Sequence, residues 1–308
     1  MSREALAGVG NDTGAETEST DGRQPRWSRW SVSGADVTTG LSLAALVAVA
    51  AWTGFRALHN APVDLPAPVV GVAPWLGPAT GVLAGSAAVA FGLRSGRSTA
   101  RVGLSFVGVF GALGTLVPAV TVPAAVALVG GGAVAVLAGA GTGRGRLSTL
   151  RRAVPSLLLG GVALSLGAAT GLLPPGLRSA GAALALAGLA ASPALVRPGP
   201  TGWALGALAA GGVLWAGSAL PLVTGAVTLV AFGLVGTPLW LFAAGVGGCV
   251  ATVSGSLGRG TDGPTDRLRA TGAALVLLAG APATVAGATA VALGAVLLAG
   301  DGTGGDRG

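Results

Sequence analysis

Residues 102–140 read VGLSFVGVFGALGTLVPAVTVPAAVALVGGGAVAVLAGA, between Arg101 and the pair Arg144 and Arg146. No side chain in the stretch is charged. Pro118 and Pro123 divide it into two apolar runs, 102–119 and 122–140. As α-helices rising about 1.5 Å per residue, each run crosses roughly 30 Å of hydrocarbon. Proline lacks an N–H and turns the preceding residue away from helix, so the pair marks a turn. Lipid leaves unpaired backbone groups unsatisfied, which restricts spanning structure to helices and closed barrels. The runs are continuous and do not alternate, so helices are expected. The stretch therefore predicts a helical hairpin in a membrane, closed by prolines and open toward arginines.

The rest of the chain repeats this layout. Apolar runs fall at 36–57, 76–93, 102–119, 122–140, 153–172, 179–196, 201–219, 222–243, 267–283 and 284–300. Hairpin units begin near residues 102, 153, 201 and 269, with turns at Pro118 and Pro123, Pro174 and Pro175, Pro221, and Pro282. Gly188–Leu195 (GLAASPAL) parallels Gly233–Trp240 (GLVGTPLW), and the Gly160-Gly161 pair parallels Gly211-Gly212. These likenesses suggest a repeated hairpin. The fold class expected is all-α: a polytopic transmembrane bundle of about ten helices, arranged largely as proline-turn hairpins, behind a disordered N-terminal tail.

Composition agrees. The 308 residues are 52% hydrophobic and 9% charged, with a mean hydropathy of +0.76. A soluble domain carries about 25% charged residues, so this chain cannot cover a water-facing surface. All 18 cations are Arg, Lys and Ile are absent, and Gly numbers 56. This codon-biased usage points to a GC-rich prokaryotic genome. Much of the glycine can follow from that bias, so no single small-xxx-small pair identifies itself as a helix contact.

Residues 1–34 form a polar tail with Asp12, Glu16, Glu18 and Asp21 among Gly, Ser and Thr, expected to be disordered. Its end interleaves Arg23, Arg26 and Arg29 with Trp27 and Trp30. Guanidinium groups meet lipid phosphates and indoles settle at the headgroup level, so these five residues are read as membrane-interface anchors. Residues 35–300 form the transmembrane domain and 301–308 a second disordered tail. No cleavable leader is expected, because the first long apolar run follows a polar tail.

Arginine clusters set the topology expected. Arg94, Arg97 and Arg101 share one loop, Arg144, Arg146, Arg151 and Arg152 the next, and Arg259, Arg267 and Arg269 a later one. Positive loops stay in the cytoplasm, so both termini are placed there, in a prokaryotic cell membrane. The Arg-free connection 60–75, with Asp64 and four prolines, is then external. Arg56 and Arg178 fall near the outer face, where each can snorkel. Segment 244–257 resists the scheme. A separate crossing there gives eleven helices, whereas an interfacial or re-entrant segment keeps ten, the arrangement adopted.

The charges missing from the spans exclude chemistry. Between Asp64 and Asp262 there is no carboxylate, and His59 is the sole histidine. Ion coupling usually relies on such groups within the membrane. Asp36 reads as a cap on the first helix. Without Lys there is no Schiff base and no standard phosphate-binding loop. One His and one Cys build no zinc or bis-His haem site, so neither metal nor cofactor is expected. Cys249 reads as a small buried hydrophobe. The loop Gly141–Arg146 (GTGRGR) reads as a basic turn attracted to anionic lipid. The net charge of +7 is dispersed between spans, so nucleic acid is not a partner expected.

Span hydroxyls such as Ser86, Ser105, Thr115, Ser165, Thr170 and Thr228 read mainly as bonded to their own helix. Trp215, Ser218 and Thr224 are singled out as a possible solute path. Trp203 and Trp240 suit interface anchors. Three functions fit these features. The first is a permease-like transport component for an uncharged or amphiphilic solute. The second is a non-catalytic scaffold or accessory subunit with other membrane subunits as partners beside the lipid bilayer. The third, ranked last, is an interfacial enzyme using Asp262 or Asp266; no enzymatic activity is expected.

Overall fold

The computed structural model describes residues 34–62, 64–139, 146–258 and 264–300. The basic-aromatic tail (Arg23, Arg26, Trp27, Arg29, Trp30), the C-terminal tail, Gly141–Gly145, Asp262 and the side chain of Asp36 lie outside the described residues. Every regular element among those residues is helical: α1 Gly34–Asn60, α2 Ala67–Arg94, α3 Ser98–Leu116, α4 Thr121–Gly139, α5 Arg146–Ala169, α6 Leu177–Ala191, α7 Pro193–Val196, α8 Pro200–Ala219, α9 Leu239–Leu257, α10 Pro264–Ala279 and α11 Val285–Ala299. A 3-10 turn at Pro118–Val120 precedes α4, and a π-helical turn at Val223–Leu229 lies between α8 and α9. Eight of the described helices are long and apolar enough to cross a membrane. The all-α, multi-helix expectation holds.

Successive long helices run antiparallel. Arg94 at the end of α2 donates from Nη1 to Thr38 Oγ1 near the start of α1. Along α8 and α9, Gly202 faces Ser254, Gly206 faces Gly247, and Gly217 faces Leu239. The ends therefore sort into two groups. One is rich in arginine, with Arg94, Arg97, Arg101, Arg152, Arg197, Arg267 and Arg269. The opposite end carries His59, Arg56, Arg178 and Asp64. All four proline turns fall between helices, at that opposite end.

Five hairpins among the described residues close on glycine. In each, the Cβ that a glycine lacks would sit 2.5–2.8 Å from the carbonyl oxygen of its partner, in both directions: Gly85 and Gly108 (α2–α3), Gly103 and Gly131 (α3–α4), Gly161 and Gly181 (α5–α6), Gly206 and Gly247 (α8–α9), and Gly272 and Gly294 (α10–α11). Backbones this close exchange Cα–H···O contacts, worth about 0.5–1 kcal/mol each. The lipid side of the balance offers helices no hydrophobic drive to associate, so close van der Waals packing has to supply it.

The core is built around α11. Each of its residues from Val285 to Ala299 is buried, with α2, α3, α4, α5 and α10 packed around it. Its fifteen residues span only about 22 Å, less than the hydrocarbon thickness. A short helix is stable here because protein, not lipid, surrounds it. Thr284 caps it by accepting from the Gly287 N–H.

Three expectations need correction. Residues 60–75 are not one external loop: α2 begins at Ala67, so residues 67–75 are helix. Pro68 sits in the first turn, where its missing N–H costs nothing, and Pro74 and Pro78 are absorbed inside. Second, 222–243 is not a span and 244–257 is not re-entrant. Leu239–Leu257 is the membrane-length helix, and the segment that fails to cross is 221–238, containing the π turn. The break lies at Gly233 and Gly236, whose φ of +68° and +83° interrupt any helix, followed by Pro238. Third, the paired fragments do not mark a repeated hairpin. Gly188–Leu195 lies at the arginine-rich end of α6, whereas Gly233–Trp240 lies at the opposite end, before α9. Gly161 touches α6, but Gly211 and Gly212 have open space where a Cβ would sit.

What the two fragments share is local chemistry. Pro193 and Pro238 cannot donate to the carbonyls four residues back, Leu189 and Leu234. In each case the preceding residue supplies two donors: Ser192 N–H and Oγ both reach Leu189 O, at 3.1 and 2.7 Å, and Thr237 N–H and Oγ1 both reach Leu234 O. The Leu-x-x-Ser/Thr-Pro likeness is thus a shared hydroxyl-bonded turn before proline, between α6 and α7 in one case and before α9 in the other.

Candidate functional site

The α4–α5 pair, like α1–α2 and α9–α10, has no such glycine contact. Here an apolar groove of about 430 Å³ opens sideways, lined by Ala125, Val126, Val129 and Gly130 of α4, by Ala163, Leu166 and Gly167 of α5, and by Leu172 and Leu173 after it. A second recess of about 230 Å³ shares Val129 and Ala163 and runs on past Ala133, Leu137, Ser156 and Leu159. Together they trace the α4–α5 seam from the Leu172–Leu173 turn toward the arginine-rich end. Leu159 reaches across and covers Gly132, with its Cδ2 2.8 Å from where a Cβ would be. Gly130, one residue before the Gly103 contact at Gly131, has nothing within 4 Å of that position.

A groove of this kind takes apolar matter. Its lining contributes no charge, so neither an ion nor a strongly polar solute gains anything there. A shallower groove of similar character, about 500 Å³, lies between α2 and α3 beside Ser86, Gly85 and Gly108.

The residues read as a solute path lie on α8 and in the π turn after it. Trp215 is 68% exposed on α8, Ser218 is exposed beside it and donates to Trp215 O at 2.8 Å, and Thr224 is buried in the π turn. Trp203 and Trp240 are exposed near helix ends. The other hydroxyls behave as local donors: Thr115 to Gly111 O, Thr170 to Leu166 O and Thr289 to Val285 O, at 2.7–2.9 Å. Other contacts bridge helices: Thr53 Oγ1 of α1 donates to Leu278 O of α10 at 2.7 Å, and Ser192 Oγ lies 2.7 Å from Thr252 Oγ1, which donates to Gly248 O. Ser165 Oγ is buried without a hydrogen-bond partner at the Gly161–Gly181 crossing.

Cys249 is free and buried in α9. His59 stacks on Phe55 with ring centroids 5.9 Å apart. Among the described residues there is no His, Cys, Asp and Glu cluster able to hold a metal. Sequence reading missed the groove. Its only legible sign is the triplet Gly130-Gly131-Gly132, which supplies no bulk on any side of α4.

These features define a polytopic helical membrane protein whose interior is packed with small residues. Residues 38–299 match the model of an integral membrane family of unknown function, DUF8068, and the chain belongs to that family. No curated protein and no solved structure matches it.

Proposed function

We propose that this chain is a transport component for an uncharged or amphiphilic solute, working without carboxylate-based ion coupling and without enzymatic chemistry. The observation that carries the reading is the apolar, laterally open seam between α4 and α5. The bundle centre is filled by α11, which leaves a peripheral seam as the better route for an apolar body. A molecule that enters from lipid with its tail in that seam needs no aqueous pore. The arginine distribution supports an orientation with the arginine-rich end and both termini in the cytoplasm of a prokaryotic cell.

The test is transbilayer movement of a tail-labelled phospholipid in proteoliposomes, followed by quenching of the outer leaflet. The wild type is expected to exceed empty vesicles at least several-fold. Ala163→Phe, which fills both recesses, is expected to bring the rate back toward the empty-vesicle value while the protein stays folded. Equal rates for wild-type and empty vesicles would rule the reading out.

A second reading, an accessory subunit, has its own support in α8. Only Gly202 and Gly206 are buried along that helix, and Leu208, Trp215 and the following Leu222 are 68–80% exposed. Recovery from native membranes with a stoichiometric partner, lost on Leu208→Ser, would favour it over transport.

A further inference from the structure

Arg56 and Arg178 are 122 positions apart in sequence, yet they converge at the end of the bundle that holds few charges. Arg56, in the last part of α1, donates from Nη2 to Val230 O at 3.2 Å and lies 5.7 Å over the Trp52 ring. Arg178, the second residue of α6, reaches the same turn: its Nη2 is 3.4 Å from where a Cβ on Gly233 would stand. Gly233 holds φ +68°, a conformation that L side chains adopt only with strain, and a Cβ there would also meet Ala281 O at 2.8 Å. Both guanidinium groups therefore lie against the 230–233 turn. Both are only partly exposed, and the Arg178 Nε is buried with no hydrogen-bond partner.

Among the described residues neither arginine forms an ion pair with a carboxylate. Asp266 is at the arginine-rich end with Arg269, and Asp64 is exposed in the α1–α2 connection. Two half-buried guanidinium groups without a carboxylate are costly, and the cost falls if an anion sits between them. Guanidinium forks match the oxygens of phosphate, taking two parallel hydrogen bonds each. The Trp52 ring beside Arg56 fits a headgroup-level setting.

We propose that Arg56 and Arg178, gathered around the 230–233 turn, form a binding site for a phosphate oxyanion at the bundle end opposite the arginine-rich loops. The chemistry is shared by an anionic phospholipid headgroup and by free phosphate. The site stands apart from the α4–α5 seam and holds whether or not that seam carries a solute.

The test is the unfolding temperature of the purified full-length protein in neutral detergent at fixed ionic strength. It is titrated separately with short-chain phosphatidylglycerol, short-chain phosphatidylcholine and inorganic phosphate. Phosphatidylglycerol is expected to raise the midpoint by about 5 °C at a hundredfold excess over Kd. Arg178→Gln is expected to abolish the rise. Arg178→Lys, which keeps charge and fold but loses the fork, is expected to weaken binding about tenfold. Arg152→Gln, at the other end, is expected to respond as wild type. A rise with inorganic phosphate as large as with phosphatidylglycerol assigns the site to the free anion, and a rise with phosphatidylglycerol alone assigns it to lipid. No rise with either, an equal rise with phosphatidylcholine, or a rise undiminished in both Arg178 variants overturns the proposal.

Discussion

Helix α4 packs on α3, α5 and α11, and treats the first two differently. Against α3 it packs backbone to backbone, with Gly131 on Gly103 and Ala124 on Gly114. Against α5 it leaves a seam, bridged by the Leu159 side chain over Gly132 and otherwise open along Val129 and Ala163. Three consecutive glycines thus meet three surroundings: open space at 130, a carbonyl at 131, a flexible leucine at 132. The same residue type is a requirement, a tolerance or a vacancy according to what faces it.

This contrast is open to a graded series of substitutions, read as thermal or SDS-induced unfolding in bilayer mimetics. Gly131→Leu has the largest effect expected. Its Cβ would meet Gly103 O at 2.7 Å and Phe106 Cβ at 2.8 Å. Neither can move without shifting α3, so a loss of about 3 kcal/mol or failure to fold is expected. Wild-type stability for this variant would show that α3 and α4 are not in backbone contact.

Gly132→Ala comes next. The atom in the way is the far end of Leu159, which can rotate. A loss of about 1 kcal/mol or less is expected, partly offset by the helix propensity gained over glycine. A larger loss would mean that Leu159 is locked and the seam narrower than described. Gly130→Ala has the smallest effect, with the sign reversed. Nothing lies within 4 Å of the new methyl, so about 0.5 kcal/mol of stabilisation is expected from the reduced freedom of the unfolded chain. Destabilisation there would indicate that another helix or subunit lies against that face.

Much of this architecture was legible in the residues. The lack of charge over 102–140 required a hairpin in lipid, and Pro118, Pro174, Pro175, Pro221 and Pro282 fell in the turns. The region 220–257 was misread for a physical reason. Its hydropathy is nearly continuous, and hydropathy does not report backbone sign. The break lay in GLVGTP, where Gly233 and Gly236 take positive φ and Pro238 ends the turn. The arginines at 56 and 178 were legible as out of place, but nothing in the order of the chain says that they meet. The seam was illegible, because groove-lining and contact-forming residues are the same Ala, Gly, Val and Leu.

The sequence alone determined the solvent, the helical state, the proline turns and the sorting of arginines between the ends. Those follow from one-dimensional quantities: the cost of an unpaired backbone group in lipid, the cost of a charge, and the missing N–H of proline. Only the tertiary structure decided which few of the 56 glycines touch, that α11 rather than any longer helix occupies the centre, and where the bundle stays open. Helix association in lipid depends on how closely two particular surfaces fit, and in a chain this uniform many alternative pairings share nearly the same composition.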